Sequence, residues 1–214
     1  MDRPFRARAY FSLGTILLTA AVAAQASDFE VAPLIGYRVG GDFRDTAAGA
    51  NRDVQEHASY GLALDLRGEP DTQYELTLSR EDTTIERPAG VAAAEPLDLR
   101  IDCVQLGGTY FWSENAVNGR APYVVGGMGI TRFSPLRAGL EDRTAFSLNV
   151  GVGLRIPVAE RLALRLESRA YVTLLDTRGS VFCRSDSGDA ACLIHARASA
   201  LWQIDASVGL AFGL

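Results

Sequence analysis

The chain has 214 residues, 48% of them hydrophobic and 22% charged, with a formal net charge of −5 at pH 7. That acidic balance excludes a general nucleic-acid binder, which needs a basic surface to displace counterions from phosphates. All 21 basic residues are Arg, which fits either a genomic composition bias or a use for Arg's planar, pairing-prone guanidinium.

Arg3, Arg6 and Arg8 precede an apolar run from Phe11 to Ala24, and Ala24-Gln25-Ala26 puts small residues at both positions of an A-x-A cleavage site. The pattern predicts a secretory signal peptide over 1–26 and a mature domain over 27–214. The run is shorter than the roughly 20 residues that a spanning helix needs, and no longer apolar run follows it. Export puts Cys103, Cys183 and Cys192 in an oxidising compartment. Cys183 and Cys192 share one polar segment, so a loop-closing disulfide between them is expected. Cys103 lies in an apolar alternating run and reads as a small hydrophobe, buried or lipid-facing, rather than a reactive thiol.

Eight segments then alternate with period two, the mark of strands with unlike faces. The first, Phe29 to Phe43, sets Phe29, Val31, Ile35 and Tyr37 against Glu30, Gly36 and Arg38. Ala58 to Arg67 opposes Tyr60, Leu62, Leu64 and Leu66 to Ser59, Asp65 and Arg67, and Thr72 to Arg80 opposes Tyr74, Leu76 and Leu78 to Glu75, Thr77 and Ser79. In the fourth, Leu97 to Trp112, the apolar parity shifts from Leu97, Leu99, Ile101 and Cys103 to Leu106, Tyr110 and Trp112, which predicts a bulge near Cys103 and Val104. The fifth, Pro122 to Phe133, is Gly-rich, with faces its sequence does not fix. The sixth alternates Phe146, Leu148, Val150 and Val152 with Ser147, Asn149, Gly151 and Gly153, ending at Arg155 and Ile156. The seventh sets Leu164, Leu166 and Val172 against Arg165, Glu167 and Arg169, and the eighth sets Trp202, Ile204, Val208, Leu210, Phe212 and Leu214 against Gln203, Asp205 and Ser207.

Connections alternate in length, with long segments near Arg44 to His57, Glu81 to Pro96, Ser134 to Asp142 and Asp176 to Ala196, and short ones at Gly68 to Asp71, Ser113 to Gly119 and Pro157 to Arg161. Long loops at one end and short turns at the other predict an all-β fold: an eight-stranded antiparallel up-and-down transmembrane β-barrel, turns in the periplasm.

Period two does not say which face is inside, because a soluble barrel has the same alternation with apolar residues inward. The charges arbitrate. If the polar face met lipid, each Arg near mid-bilayer would cost roughly 2 to 4 kcal/mol, and several together would exceed the roughly 5 to 15 kcal/mol stability of an ordinary domain. The polar face is therefore expected inside, with a lumen network of Glu30, Arg38, Asp65, Arg67, Glu75, Asp98, Arg100, Asp102, Arg155, Arg165, Glu167, Arg169 and Asp205. Buried charges must be paired, so the lumen reads as plugged. Gly36, Gly151 and Gly153 either relieve crowding around those side chains or serve barrel curvature. Aromatic girdles are expected from Phe29, Tyr74, Tyr123 and Phe212 at the periplasmic rim and from Phe43, Tyr60, Phe133, Phe146 and Trp202 at the outer one.

The ending Gly209-Leu210-Ala211-Phe212-Gly213-Leu214 resembles the G-x-x-aromatic-x-aromatic signal read by the barrel-assembly machinery, with Leu as its last residue. Together with Pro122-Tyr123-Val124-Val125-Gly126-Gly127-Met128-Gly129 and Asn149-Val150-Gly151-Val152-Gly153-Leu154-Arg155, it makes the chain similar to the small porin-like, opacity-type and OmpA-type barrels. The resemblance implies a Gram-negative outer membrane, with its lipid and the assembly machinery as partners and Gly209, Phe212 and Leu214 as the assembly signal. It implies little about activity.

His57-Ala58-Ser59 resembles the His and Ser of the lipid A deacylases. Ser59 is expected to face the lumen, however, and the nearest following carboxylate, Glu69, lies at the opposite end, so no catalytic residue is assigned. His195 reads as a loop residue. Asp176, Asp186 and Asp189 read as a solvated loop, no metal-ligand spacing is present, and no cofactor is expected. The favoured reading is a structural or surface-interaction barrel, the alternative a narrow channel for ions or small hydrophobic solutes, and the least favoured a lipid A-modifying enzyme.

Overall fold

The computed structural model describes residues 28–45, 50–85, 96–112, 119–137, 139–175, 181–186, 189–194 and 200–214; within 42–45, 50–53, 181–186 and 189–194 it describes the backbone. The signal-peptide residues 1–26, Asp176 and His195 lie outside the described residues. The strands are β1 (Phe29–Val39), β2 (Asp42–Asp45), β3 (Ala50–Asp53), β4 (His57–Arg67), β5 (Thr72–Ile85), β6 (Leu97–Phe111), β7 (Ala121–Pro135), β8 (Arg143–Ala159), β9 (Leu162–Leu174), β10 (Val181–Asp186), β11 (Asp189–Ile194) and β12 (Ala200–Gly213).

Eight of these close into an antiparallel barrel in the order β1-β12-β9-β8-β7-β6-β5-β4. Chain neighbours are sheet neighbours, which is the up-and-down order. Closure is the pairing of β1 with β12, from Glu30 against Gly213 to Val39 against Ile204. The Leu214 N–H donates to the Phe29 carbonyl at 3.0 Å, so the start of β1 and the end of β12 meet at one end. The short connections lie at that same end, termed the turn end; the four long connections lie at the loop end. Closing the sheet leaves no edge strand, so all eight ladders are paired.

The turn from β4 to β5 is held by Gly68 N–H to Thr72 O and Thr72 N–H to Glu69 O, both at 3.0 Å, and puts Asp71 at φ 68°, a left-handed conformation that Asp tolerates better than most residues. At the loop end two expected loops carry small hairpins. Gly40 and Gly41, at φ 86° and 104°, end β1 and turn the chain into the β2–β3 hairpin, so the expected first strand, Phe29 to Phe43, breaks in two there. β10 pairs with β11 with Cys183 opposite Cys192. The third strand extends past Arg80 to Ile85, and Glu81 belongs to it rather than to a loop.

The expected bulge at Cys103 and Val104 is absent: β6 pairs without interruption with β5 and with β7 through that stretch. The irregularity lies between Pro157 and Ala159 on β8 instead, where Pro157 has no N–H for a ladder.

Outward, the barrel presents Ile35, Tyr60, Leu66, Leu106, Met128, Val150, Val152, Ile204 and Val208, all exposed. Exposed aromatics gather at both borders of this band: Phe29, Tyr74, Tyr110, Trp112 and Phe212 toward the turn end, and Tyr37, Tyr60, Phe146 and Trp202 toward the loop end. Two expected girdle residues are misassigned. Tyr123 and Phe133 are each 1% exposed and point inward, because both sit on the odd, inward parity of β7.

Candidate functional site

Inward-facing residues fill the barrel in layers, and each strand contributes one residue in two. At the turn-end mouth Glu30 pairs with Arg155. Two cavities of about 590 and 450 Å³ open beside this pair and share Arg67, Gln73 and Arg155 in their walls. Arg67 is on the inward parity, but it is exposed at the rim and has no ion pair among the described residues, so it stands apart from the network expected of it.

Above the mouth lies the densest charge cluster. Arg165 donates through Nη1 to Asp65 at 2.9 Å, through Nη2 to Glu75, and through Nη2 to Glu167 at 2.9 Å. Its Nε also donates to the Tyr123 hydroxyl at 2.9 Å, and that hydroxyl donates to Glu167 at 2.9 Å. Arg169 bridges the same acids, reaching Glu75 at 2.9 Å and Glu167 at 2.8 Å. Thr77 donates to Glu75 at 2.6 Å.

The next layer centres on Arg38, which donates to Asp205 at 3.1 Å and to Ser79 at 3.1 Å and lies 3.9 Å from Glu81. Gln203 donates to Glu81 at 3.1 Å, and Tyr171 lies under the Arg38 guanidinium at 4.5 Å from the ring centroid, a cation–π contact. Beside it, Gln105, Ser147, Asn149 and Thr131 form a hydrogen-bonded belt of amides and hydroxyls. Cys103, buried, contacts Thr131 and Arg38, which agrees with the small-residue reading.

At the loop end the interior turns apolar. Val54, Ile85, Leu97, Leu99, Ile101, Phe133, Leu175 and Leu201 form one buried cluster that caps the polar layers. There the outer wall carries charge instead: Arg80 pairs with Asp102 at 2.6 Å, Arg100 with Asp82 at 2.7 Å, and Arg132 with Asp142. Hydrogen bonds from Arg100 and Arg132 hold Asp82 and Asp142 below the ordinary carboxylate range. Asp98, Arg100 and Asp102 are therefore not lumen residues as their sequence context predicts; they stand on the outer wall. The register does not change: within the outward apolar band the strands bury charge and expose hydrocarbon, whereas above it they bury hydrocarbon and expose charge, as a water-facing barrel does.

Nine of the expected network residues do enter the interior in ion pairs: Glu30, Arg38, Asp65, Glu75, Arg155, Arg165, Glu167, Arg169 and Asp205. Glu81, Tyr123 and Gln105 belong with them and escaped the sequence reading. Continuing the odd parity of Glu75, Thr77 and Ser79 by two more residues would have found Glu81. Two of the three glycines clear space inside. A Cβ on Gly153 would stand 2.1 Å from the Tyr123 ring, and one on Gly36 would stand 2.7 Å from the Ser59 hydroxyl and 2.8 Å from Asp205. The crowding they relieve is around Tyr123 and Asp205 rather than around Arg side chains.

The H-x-S pair is not assembled as a catalytic couple. Ser59 Oγ donates to Asp205 at 2.5 Å, deep in the lumen, while His57 Nδ1 lies 3.2 Å from the carbonyl of Gln55. No cluster of metal-ligating side chains occurs among the described residues.

No protein-family model and no curated protein sequence matches the chain. Solved structures with the same fold do. Neisserial surface protein A is similar at a TM-score of 0.57 and 13% identity, covering 89% of this chain and all of its own. The outer membrane protein OprG of Pseudomonas aeruginosa is similar at 0.55 and 15%, covering 88% of this chain and 97% of its own. The outer membrane protein AlkL, determined in DMPC bilayers, is similar at 0.50 and 14%, covering 99% of this chain and 96% of its own. The fold is that of the small eight-stranded outer-membrane barrels.

Proposed function

We propose that the protein resides in a Gram-negative outer membrane as a structural or surface-interaction barrel whose lumen is plugged by charge and conducts nothing. The carrying observation is the continuous filling of the interior: ion pairs from Glu30 to Asp205 along its length, closed at the loop end by the Ile85, Leu99, Ile101, Phe133 and Leu201 cap. Eight strands enclose a bore only wide enough for side chains, and an ion would have to displace a paired guanidinium and then cross a dry apolar layer. On this reading the turn end faces the periplasm and the loop end faces the cell surface, where the long connections are available to a partner. The C-terminal Gly209, Phe212 and Leu214 serve as the signal for the barrel-assembly machinery; Phe212 and Leu214 are exposed on the outer wall, as such a signal requires. We read the chain as non-enzymatic, which the separate engagements of Ser59 and His57 support.

Purified protein in planar bilayers is expected to give no steady conductance. Reproducible unitary current, enhanced by widening the cap with Leu99→Ala, would restore the narrow-channel reading.

The β10–β11 hairpin on this reading is clasped at the cell surface by Cys183–Cys192. Directly opposed residues in an antiparallel pair have Cα atoms about 4.5 to 5.5 Å apart, inside the span that a disulfide bridges. Protein isolated without reductant is expected to resist thiol labelling at these two positions in denaturant, and full labelling without reduction would remove the clasp.

A further inference from the structure

The outward apolar run is much shorter on one side of the barrel. On β12 it extends from Trp202 to Leu214, but on β5 it comprises Tyr74, Leu76 and Leu78 before Arg80 interrupts it. Across β5, β6, β7 and β8 the last apolar row is Leu78, Val104, Ile130 and Phe146. The row directly above it is Arg80, Asp102 and Arg132 in register. Above that stand Asp82 and Arg100, paired with each other. The row touching the apolar band thus carries two cations and one anion, and Asp142, the partner of Arg132, supplies the second carboxylate beside it.

Both cations of that lower row are ion-paired yet exposed: Arg80 binds Asp102 through Nε, Arg132 binds Asp142 through Nε and Nη2, and their side chains are 54% and 57% exposed, with the Nη nitrogens of Arg80 and Nη1 of Arg132 outside these pairs. A guanidinium at the edge of a lipid-facing band has its hydrocarbon stem beside acyl chains and its fork at the headgroup level, and that fork fits phosphate oxygens in a bidentate manner. Arg80 and Arg132 stand two strands apart, about 10 Å by the strand spacing. That is comparable to the separation of phosphates at the two ends of a disaccharide, and it exceeds what one phosphodiester headgroup spans.

We propose that the Arg80–Asp102–Arg132 row is a lipid site on the outer wall that holds the two phosphates of a lipid A-type glycolipid. The proposal rests on the outer-membrane reading, which turns this end toward the leaflet where that glycolipid lies. The shortened apolar run on β5 draws the headgroup closer to the midplane on this side than elsewhere around the barrel.

The test uses the full mature chain folded in nanodiscs containing equimolar bisphosphorylated lipid A and phosphatidylglycerol, with retained lipid read by native mass spectrometry after detergent release. The wild type is expected to keep lipid A in preference to phosphatidylglycerol, and to keep monophosphorylated lipid A at least several-fold less well, a comparison that needs no variant. Arg80→Gln with Arg132→Gln is expected to lower lipid A retention at least tenfold with unchanged heat-modifiable gel migration, Arg80→Lys with Arg132→Lys to fall between, and Arg67→Gln at the opposite rim to match wild type. Equal retention of mono- and bisphosphorylated lipid A, equal retention of phosphatidylglycerol, or a Gln pair as loaded as the wild type would overturn the proposal. Conductance in planar bilayers would refute the plugged-lumen reading and leave these retention ratios intact, so the two failures are distinguishable.

Discussion

Arg165→Ala is expected to lower the stability of the membrane-inserted barrel by about 3 to 5 kcal/mol, the usual cost of removing one partner from a buried ion pair. The interior makes this position the most sensitive of its charges. Among the described residues four arginines, Arg38, Arg155, Arg165 and Arg169, face six interior carboxylates, Glu30, Asp65, Glu75, Glu81, Glu167 and Asp205. Each guanidinium must therefore serve more than one acid where the acids crowd, and Arg165 serves Asp65, Glu75 and Glu167 together. Its loss leaves Asp65 without a cation and Glu75 and Glu167 dependent on Arg169 alone. Urea titration in phospholipid vesicles, scored by heat-modifiable migration, measures the effect. Neutralising the cluster as a whole, with Arg165→Met, Asp65→Asn and Glu75→Gln, is expected to recover much of the loss, because the penalty comes from uncompensated charge rather than from missing contacts. Arg100→Ala, on the water-facing wall, is expected to leave the midpoint where it is.

Val150→Arg is the second large effect. Val150 lies midway along β8 and is 64% exposed. On a soluble barrel such a site would accept Arg without penalty, and the change would improve solubility. On a wall surrounded by acyl chains near mid-bilayer the same substitution costs about 2 to 4 kcal/mol. Folding yield into vesicles and the urea midpoint are both expected to fall, and Thr144→Arg, on the same face at the loop end, is expected to change neither.

Most of the fold was readable from the sequence because a barrel that buries charge and exposes hydrocarbon has an unusually clean alternation. Val150, Val152 and Leu148 alternate with Asn149, Gly151 and Ser147 without a break, and β8, β9 and β12 show the faces that their residues announce. β6 misled for a physical reason. Its apolar residues do change parity, from Leu97, Leu99 and Ile101 to Leu106 and Tyr110, but the strand runs on in constant register. What changes is which face of the wall carries the apolar residues, and a pattern of polarity alone does not separate a bulge from such an exchange at constant register. Asp98, Arg100 and Asp102 consequently share the parity of the outward Val104 and Leu106 although their polarity points to the lumen.

The candidate site was legible where one strand carried several charges on one parity, as with Arg165, Glu167 and Arg169. It was opaque where partners came from distant strands: nothing local to Tyr123 announces that its hydroxyl lies between Arg165 and Glu167, and the Gly153 that makes room for its ring is a residue of the next strand. The Gly-rich β7 gave no polarity signal at all, so Tyr123 and Phe133 looked like girdle aromatics while facing inward.

Spin labels scanned singly from 146 to 156 along β8, in protein whose cysteines are replaced by Ser and which is reconstituted in bilayers, probe most directly which wall meets hydrocarbon. Collision with oxygen should peak at 146, 148, 150 and 152 and drop at the intervening positions, while a water-soluble nickel chelate reaches none of the four. Nickel access at those even-numbered positions, with oxygen preferring the odd ones, would mean that the even-numbered face of β8 is not the hydrocarbon wall.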